Sequence, residues 1–417
     1  VSPVLLDAIA PKAPRKIRQR GVEGCMRSTG QRGTNQLDVR GYNERLLLQL
    51  VRRHGEMTKA QATRASGLSA NATSVIFRKL EKSGLVLRGE RILGRIGQPS
   101  TPMRINPDAH KYVSLKIGRR SVELAVINFI GEIVSKRREA YSYPTPENVM
   151  NFVGRMLTPV LRSAKISRKN VTAMAVAMPF ELWSWTDQFG VPKEELQVWR
   201  DFDILESLNE KVPWTIVVEN DGTAACRAEQ IFGDHSGKQD WIYFFAGTFI
   251  GGGVVLNGSV FPGRRGNAGG FGPMRVPDMV GGDRLIDHAS LIVLERGLAS
   301  AGIDPANVYE AKTDWTEFGE HLEQWLQRAS KSLSYAVVSS LSIMDFDAVV
   351  IDGAIPPAVK DRLVAKVIEQ LKVTDLQGVI FPAVEPGQIG RDARLIGAAG
   401  VLINQHYLLD QNTLMRI

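Results

Sequence analysis

The sequence predicts two unlike folds in one chain: a winged helix-turn-helix at the front and a larger, two-lobed α/β body behind it. Three observations predict this. Basic charge is concentrated in the first quarter of the 417 residues. Residues 1–111 hold 21 Lys/Arg against 8 Asp/Glu, whereas residues 112–417 hold 31 against 36. Helical apolar spacing broken by capping residues gives way near His110 to apolar, strand-like runs. Those runs then alternate with helices, and the alternation occurs twice. A basic module joined to a slightly acidic body implies a polyanion at one end and a different task at the other.

Residues 1–36 are rich in Arg, Lys, Gly and Pro without an apolar period, and read as a basic flexible arm. That arm either grips DNA or only solubilises the chain. Residues 37–108 form the winged helix-turn-helix. From Tyr42, Leu46, Leu47, Leu50 and Val51 fall at helical spacing, and His54-Gly55 stops the helix. Thr58 caps a short helix that ends at Gly67. Ser69 caps a third helix running to about Ser83, with Ala72, Ile76 and Leu80 as its inward face and Gly84 closing it. Leu85-Val86-Leu87 opens a hairpin that Arg104-Ile105 completes, so helices and hairpin follow the plan of a winged helix-turn-helix.

Residues 109–417 form the body, expected to bind an effector and to dimerise. YVSLKIG and VELAVINF read as strands joined by a polar turn, and Gly131 turns the chain into EIVSKRREAY. A helix over about 147–164 precedes the strand VTAMAVAMP. The strand WTIVVEND leads into the helix GTAACRAEQIFG, and WIYFFAGTFIGGGVVLNG is strand, glycine turn, strand. A helix over about 316–343, the strand AVVIDGAI and the small-residue helix RDARLIGAAGVLI close the chain.

Composition excludes several classes. No run of 18 apolar residues occurs, so no membrane partner is expected, and the opening residues lack the order of a signal peptide; a cytoplasmic location is expected. Cys25 and Cys226 are far apart with no CxxC pair, which argues against a disulfide framework and a cysteine zinc site.

The third helix is the candidate reading element. Ser69, Ala70, Asn71, Thr73 and Ser74 at its start, with Arg78 one turn on, suit a major groove: small residues admit the backbone, and Asn pairs with an adenine edge. Arg and Ser, with the first-turn amides, hold phosphate. Lys59, Gln61 and Arg64 on the preceding helix are candidates for backbone contacts. Arg88, Arg91, Arg95 and Gln98 on the wing either reach DNA or are solvated surface groups. The expected partner is a palindromic double-stranded operator bound by a homodimer or homotetramer.

These segments carry a family resemblance. NERLLLQLVRRHGEMTKAQATRASGLSANATSVIFRKLEKSGLVLRG with GRIGQPSTPMRINP resembles the DNA-binding half of ROK-family repressors. VENDGTAACRAE, GTFIGGGVVLNGSVFPGRRGNAGGFG and ARLIGAAGV resemble that family's catalytic segment, its second phosphate loop with the adjoining sugar loop, and its closing helix. The resemblance covers roughly residues 36–405. It implies an actin-like (ribonuclease H-like) ATPase architecture with a cleft between lobes, and a sugar or sugar-derivative effector.

Departures from the family pattern carry the functional expectation. The family's kinases have Asp and a small glycine-rich turn where this chain has LKIGRRSVEL. Lys116 stands in the acid's place and Arg119-Arg120 in the turn. A cation does not ligate magnesium, and bulky side chains obstruct backbone approach to phosphate, so no kinase activity and no nucleotide cofactor are expected. The family's sugar loop is Ala-Gly-Glu, one residue, Gly-His; here AGGFGPM places Gly270 and Pro273 at the Glu and His positions. His288 alone does not make a zinc site, so no metal is expected.

Asn220-Asp221 is retained. The resemblance makes Asp221 a hydroxyl-binding or proton-accepting group with Asn220 beside it; the local pattern equally makes Asp221 an N-cap of the following helix. Glu219 and Gly269 are the further effector-binding candidates. The glycines at 247 and 251–253 form either a phosphate cradle or a tight inter-strand turn. Trp183, Trp185 and Trp199 either stack on a ligand ring or pack a core. Together these readings expect a regulator, a repressor of sugar-related genes, with kinase activity as the alternative.

Overall fold

A computed structural model describes residues 36–91, 100–184, 193–235, 237–277 and 280–410. The basic arm, Cys25, Arg95, Gln98 and Trp185 therefore lie outside the described residues. Helix α1 (Gln36–His54) begins before Tyr42 and ends on Gly55 at φ 74°. After β1 (Glu56–Met57), Thr58 opens α2 (Lys59–Ser66) with a capping box. The Thr58 hydroxyl accepts from the Gln61 N–H, and the Gln61 carbonyl oxygen accepts from the Thr58 N–H. Gly67 ends α2 at φ 69°, where a Cβ would be strained. Ser69 caps α3 (Ala70–Lys82) by accepting from the Ala72 N–H. Such a cap contributes about 1 kcal/mol. Strands β2 (Val86–Arg88) and β3 (Met103–Ile105) pair antiparallel, and β3 also pairs with β1.

The inward face of α3 differs from the expected one. Thr73, Phe77 and Leu80 are buried, whereas Ala72 and Ile76 are half-buried. Adjacent helix positions differ by only about 100°, so one broad apolar arc accommodates both columns, and the largest side chain, Phe77, takes its centre.

Behind this unit the chain forms two five-stranded sheets. The first comes from β4 (Lys111–Ile117), β5 (Ser121–Asn128), β6 (Ile133–Ala140), β7 (Ala173–Met178) and β8 (Ile216–Asn220), in the order β6-β5-β4-β7-β8. Helices α4 (Pro146–Ser163), α5 (Lys193–Asp201) and α6 (Ile204–Asn209) lie between its later strands in sequence. Helix α7 (Asp221–Phe232) leads to the second sheet, built from β9 (Trp241–Ala246), β10 (Ile250–Leu256), β11 (Ser259–Val260), β12 (Ala348–Gly353) and β13 (Ala383–Pro386). Its order, β11-β10-β9-β12-β13, repeats the first. In each, three antiparallel strands are followed by two parallel ones. Two similar lobes are therefore present.

Helices α8 (Ile286–Ala289), α9 (Leu291–Ser300), α10 (Gly319–Leu341) and α11 (Pro357–Val373) belong to the second lobe, and α12 (Ala393–Tyr407) closes the chain. Helix α11 was not foreseen in the sequence. Helices α7 and α12 pack on each other between the sheets. Their approach requires glycine: a Cβ at Gly397 would lie 1.6 Å from the Ala224 carbonyl oxygen. Among the described residues, no helix is long and apolar enough to cross a membrane.

One apolar core crosses residue 108. Leu47, Val51, Phe77 and Leu80 from the first three helices share a cluster with Tyr112, Ala173, Leu402 and Ile403 of the body.

Candidate nucleic-acid interface and interlobe cleft

The exposed face of α3 follows from what its buried face consumes. With Thr73, Phe77 and Leu80 inside, Asn71, Val75 and Arg78 emerge on the opposite side at helical spacing, with Ser74 half-buried among them. Ala70 and the capping Ser69 are exposed at the helix start, where amide dipoles favour an anion. Thr73 does not belong to this face: its side chain is fully buried and its hydroxyl has no hydrogen-bond partner among the described residues. The expectation that it contacts DNA is withdrawn. Val75, half-exposed, was missed. Its signal was present: an apolar residue standing outside the buried stripe.

Lys59, Gln61 and Arg64 on α2 are exposed, although Gln61 already spends its carbonyl oxygen on the Thr58 cap. Arg88 pairs with Glu81 at 2.6 Å, and Arg91 is exposed. The cationic character of this surface therefore rests on singly held, solvated side chains.

The N-terminal helical unit is joined to the body through α1 and the end of α12. Arg52 donates to the Phe129 carbonyl oxygen at 2.8 Å and lies over the rings of Phe129 and Phe232, 5.0 and 5.5 Å from their centroids. Burial pushes its guanidinium down to about 10. The Leu409 N–H donates to Gln49 at 3.1 Å, and the Tyr407 hydroxyl meets His110 Nε2 at 2.6 Å.

The other end of α12 enters the interlobe cleft. A pocket of about 190 Å³ there is lined by seven cations (Lys116, Arg119, Arg120, Lys136, Arg138, Arg391 and Arg394) and by only two acids, Glu123 and Glu310. Lys116 donates to Glu123 at 2.8 Å and to Ser121 at 2.9 Å. Burial pushes the Lys116 ammonium down to about 8, against the attraction of Glu123. Burial alone would raise the Glu123 carboxyl, but Lys116, by charge and hydrogen bond, holds it at about 2.

Ion pairs cross the cleft. Arg120 of the first lobe meets Glu295 of α9 at 2.5 Å, Arg138 meets Glu310 at 3.2 Å, and Lys136 meets Asp392 at 2.6 Å. Arg119 lies over the Phe249 ring, 4.4 Å from its centroid. These contacts clasp the lobes together at the LKIGRRSVEL turn, through Arg119 and Arg120, and along β6, through Lys136 and Arg138. Lys116 also crowds that turn: a Cβ built on Gly118 would lie 2.6 Å from Lys116 Cε.

The expected effector residues are not among those lining this pocket, and of the four only Asp221 reaches a lining residue, Arg394. Asn220, not Asp221, is the N-cap of α7; its side-chain oxygen accepts from the Gly222 and Thr223 N–H groups at 2.9 and 3.0 Å. The alternative in which Asp221 is the cap is corrected: it is the first helical residue, and its carboxylate accepts from Arg394 at 3.3 Å. Glu219 is turned to Arg227 at 2.6 Å, a pair enclosed in protein, so it is withdrawn as an effector ligand. Gly269 packs backbone to backbone, with a Cβ there reaching 2.4 Å from Gly253 Cα. It is a spacer and offers no side chain.

The glycine run serves close packing as well. A Cβ at Gly252 would meet the Tyr243 carbonyl oxygen at 1.9 Å, and one at Gly253 would meet Cys226 Cβ at 2.4 Å. Trp199 is buried and donates to the Pro144 carbonyl oxygen at 3.0 Å, while Trp183 packs against the first-lobe core. His288 is buried between the Gly282 carbonyl oxygen and Arg328.

The model of the ROK family matches residues 112–405. The chain belongs to the ROK family. It is 22% identical over 242 residues to the xylose repressor of Bacillus subtilis (strain 168), covering 58% of this chain and 62% of that one. Among solved structures, a ROK family transcriptional regulator, a homologue of the Escherichia coli MLC protein, aligns with a TM-score of 0.61 at 16% identity. It covers 88% of this chain and 97% of its own. A ROK family glucokinase from Streptomyces griseus, in complex with glucose and AMPPNP, aligns with a TM-score of 0.53 at 19% identity, over 70% of this chain and 98% of that one. These structural likenesses concern the fold. Within this ROK chain, Arg119 and Arg120 of the LKIGRRSVEL turn reach across to Phe249 and Glu295 of the second lobe, whereas Lys116 stays with Glu123 of its own lobe.

Proposed function

We propose that this ROK protein is a sugar-responsive, sequence-specific DNA-binding transcriptional regulator, a repressor, and that it does not transfer phosphate. Residues 37–108 act as a winged helix-turn-helix and residues 109–417 as the effector-binding and dimerising body. The observation that carries the reading is the capped helix α3. It presents Asn71, Val75 and Arg78 to solvent on a basic unit whose core continues into the body. Asn and Arg on one exposed helix face are suited to base edges, and Val75 to a thymine methyl group. Names among the relatives, such as the xylose repressor, agree with this reading.

Coupling between effector and DNA follows from α12. The helix spans about 22 Å. Arg394 at its start hydrogen-bonds Asp221, and Tyr407 at its end touches His110 beside α1. A ligand that favours one lobe arrangement shifts the position of the reading helices through this rod. It does so only by its differential affinity for the two arrangements. In a dimer, the spacing between two α3 helices then matches or misses half-sites one helical turn apart.

The test is selection of duplexes from a random pool by the full chain, followed by anisotropy titration of the selected and scrambled sequences. A regulator selects a two-fold sequence, and the parallel phosphotransfer assay with ATP and sugars shows no turnover. Phosphotransfer abolished by Asp221→Asn, with no duplex selected, would instead establish the kinase alternative.

A further inference from the structure

We infer that Arg52 is a positioning residue for DNA recognition. Its guanidinium, seated between Phe129 and Phe232, fixes the angle of the reading unit on the body, and with it the half-site spacing that a pair of heads accepts. This deepens the regulator reading above and rests on it. Apolar contact holds the two parts together without setting that angle. Leu47 and Val51 of α1 share a cluster with Leu402 and Ile403 of α12, and such contact is non-directional. Direction comes from hydrogen bonds. Gln49 accepts from the Leu409 N–H at 3.1 Å, and Arg52 donates to the Phe129 carbonyl oxygen at 2.8 Å.

Arg52 is the better placed of the two, because its socket joins several elements. Phe129 follows β5, Phe232 ends α7, and Gly131 turns the chain between β5 and β6. The Phe232 ring lies so close to that turn that a Cβ on Gly131 would stand 2.7 Å from it. The guanidinium lies over both rings, 5.0 and 5.5 Å from their centroids. Phe129 packs edge-on against Tyr407 and His110, with centroids 4.9 and 5.2 Å apart, and the Tyr407 hydroxyl meets His110 Nε2. One ring, Phe129, therefore touches both the guanidinium and the end of α12.

Stability does not account for a cation at this place. Arg52 Nε is buried without a hydrogen-bond partner among the described residues, and so is the Tyr112 hydroxyl. That hydroxyl, and not a carboxylate, is the group that acts on the guanidinium charge. A leucine or methionine would fill the space between two rings without desolvating a charge. What an apolar side chain lacks is a donor of fixed direction. The planar guanidinium supplies one, with an N–H on a backbone oxygen and its face on the rings. The lever is short but sufficient. Glu44, which holds Lys79 of α3 at 2.5 Å, precedes Arg52 by eight residues, about 12 Å along α1. A rotation of about 20° at the socket moves that point by about 4 Å, more than the base-pair rise of about 3.4 Å. Freed of its socket, each head would accept spacings that differ by a base pair.

The experiment titrates the full chain against duplexes that carry the selected half-sites with the central spacer kept, lengthened or shortened by one base pair, and against a single half-site. Wild type is expected to prefer one spacing by about tenfold or more. Arg52→Ala is expected to cut that preference to about threefold or less while keeping single half-site affinity within about twofold. Arg52→Lys, which keeps a cation over the rings but loses the planar fork, is expected to fall between the two. Amide hydrogen exchange without DNA is the independent arm. Arg52→Ala is expected to speed exchange at the Leu409 N–H and in the last turn of α1 by about tenfold, with α3 unchanged. Tyr407→Phe, which removes the hydroxyl on His110 and keeps the ring, carries both arms in the same direction if Arg52→Ala does not fold. The proposal is overturned if the variant keeps the wild-type spacing preference, if single half-site affinity falls as far as the preference does, or if exchange at Leu409 is unchanged. Failure of wild type to select any duplex would sink the regulator reading instead, and the exchange arm would still decide whether Arg52 fixes the seat.

Discussion

The cations of the α2–α3 surface and those of the cleft obey different physics. On α2 and α3, Lys59, Arg64 and Arg78 stand in solvent, each nearly independent of its neighbours. In the cleft, Lys116, Arg119 and Arg394 are enclosed, and Arg394 disfavours the charged forms of the other two. The exposed set is ready for a flexible polyanion and tolerates exchange of one charge for another. The enclosed set is positionally fixed, because burial makes every unpaired charge expensive. On the proposed reading, the difference separates a surface that collects DNA from a cavity that selects a ligand, although both are basic.

The largest expected effect breaks the enclosed set. Lys116→Ala leaves Glu123 buried with the Ser121 hydroxyl and the more distant cations Lys136, at 4.0 Å, and Arg394. A loss of about 3–5 kcal/mol in stability is expected by denaturant titration. The same pair fixes a pH dependence. Glu123 has its folded-state value depressed from 4.5 to about 2, so its contribution is present above about 4.5 and is lost as pH falls toward 2. That contribution is about 3 kcal/mol. The stability gap between wild type and Glu123→Gln therefore narrows on acidification through this window.

Substitutions on α3 give the intermediate effect, and on binding rather than folding. Asn71→Ala and Arg78→Ala are each expected to cost about 1–3 kcal/mol on the selected duplex, with the melting temperature nearly unchanged. Lys59→Gln or Arg64→Gln is expected to weaken all duplexes alike and to lower the salt slope by about 1. The smallest effect sharpens the comparison. Thr73 buries a hydroxyl without a partner, so Thr73→Val leaves DNA affinity unchanged and alters stability by about 1 kcal/mol or less, in the stabilising direction. A large loss of binding in that variant would return Thr73 to the DNA-facing side.

Local chemistry makes much of this fold legible in the amino-acid sequence. Thr58, Gly67, Ser69 and Gly84 mark helix ends because caps act over a few residues, and the strand runs from Tyr112 to Ile127 declare themselves by apolar content. The replaced turn at Lys116, Arg119 and Arg120 is equally visible. What those side chains do is not. Arg120 finds Glu295 across 175 positions and Lys136 finds Asp392 across 256, and no local period encodes either contact. Glu219 looks available for a ligand until its partner Arg227, eight positions on in the following helix, is placed against it. The assignment of Thr73 fails for a related reason: a 13-residue helix buries an arc, and the choice between neighbouring columns depends on the partner surface.

The most direct test of the central claim is the affinity ratio between a duplex selected by the full chain and a scrambled duplex of equal length, measured by anisotropy at physiological salt. The account predicts a ratio on the order of 1,000 or more, lost when Asn71 and Arg78 are both replaced by alanine. Equal affinity for both duplexes, unaffected by those replacements, would contradict it.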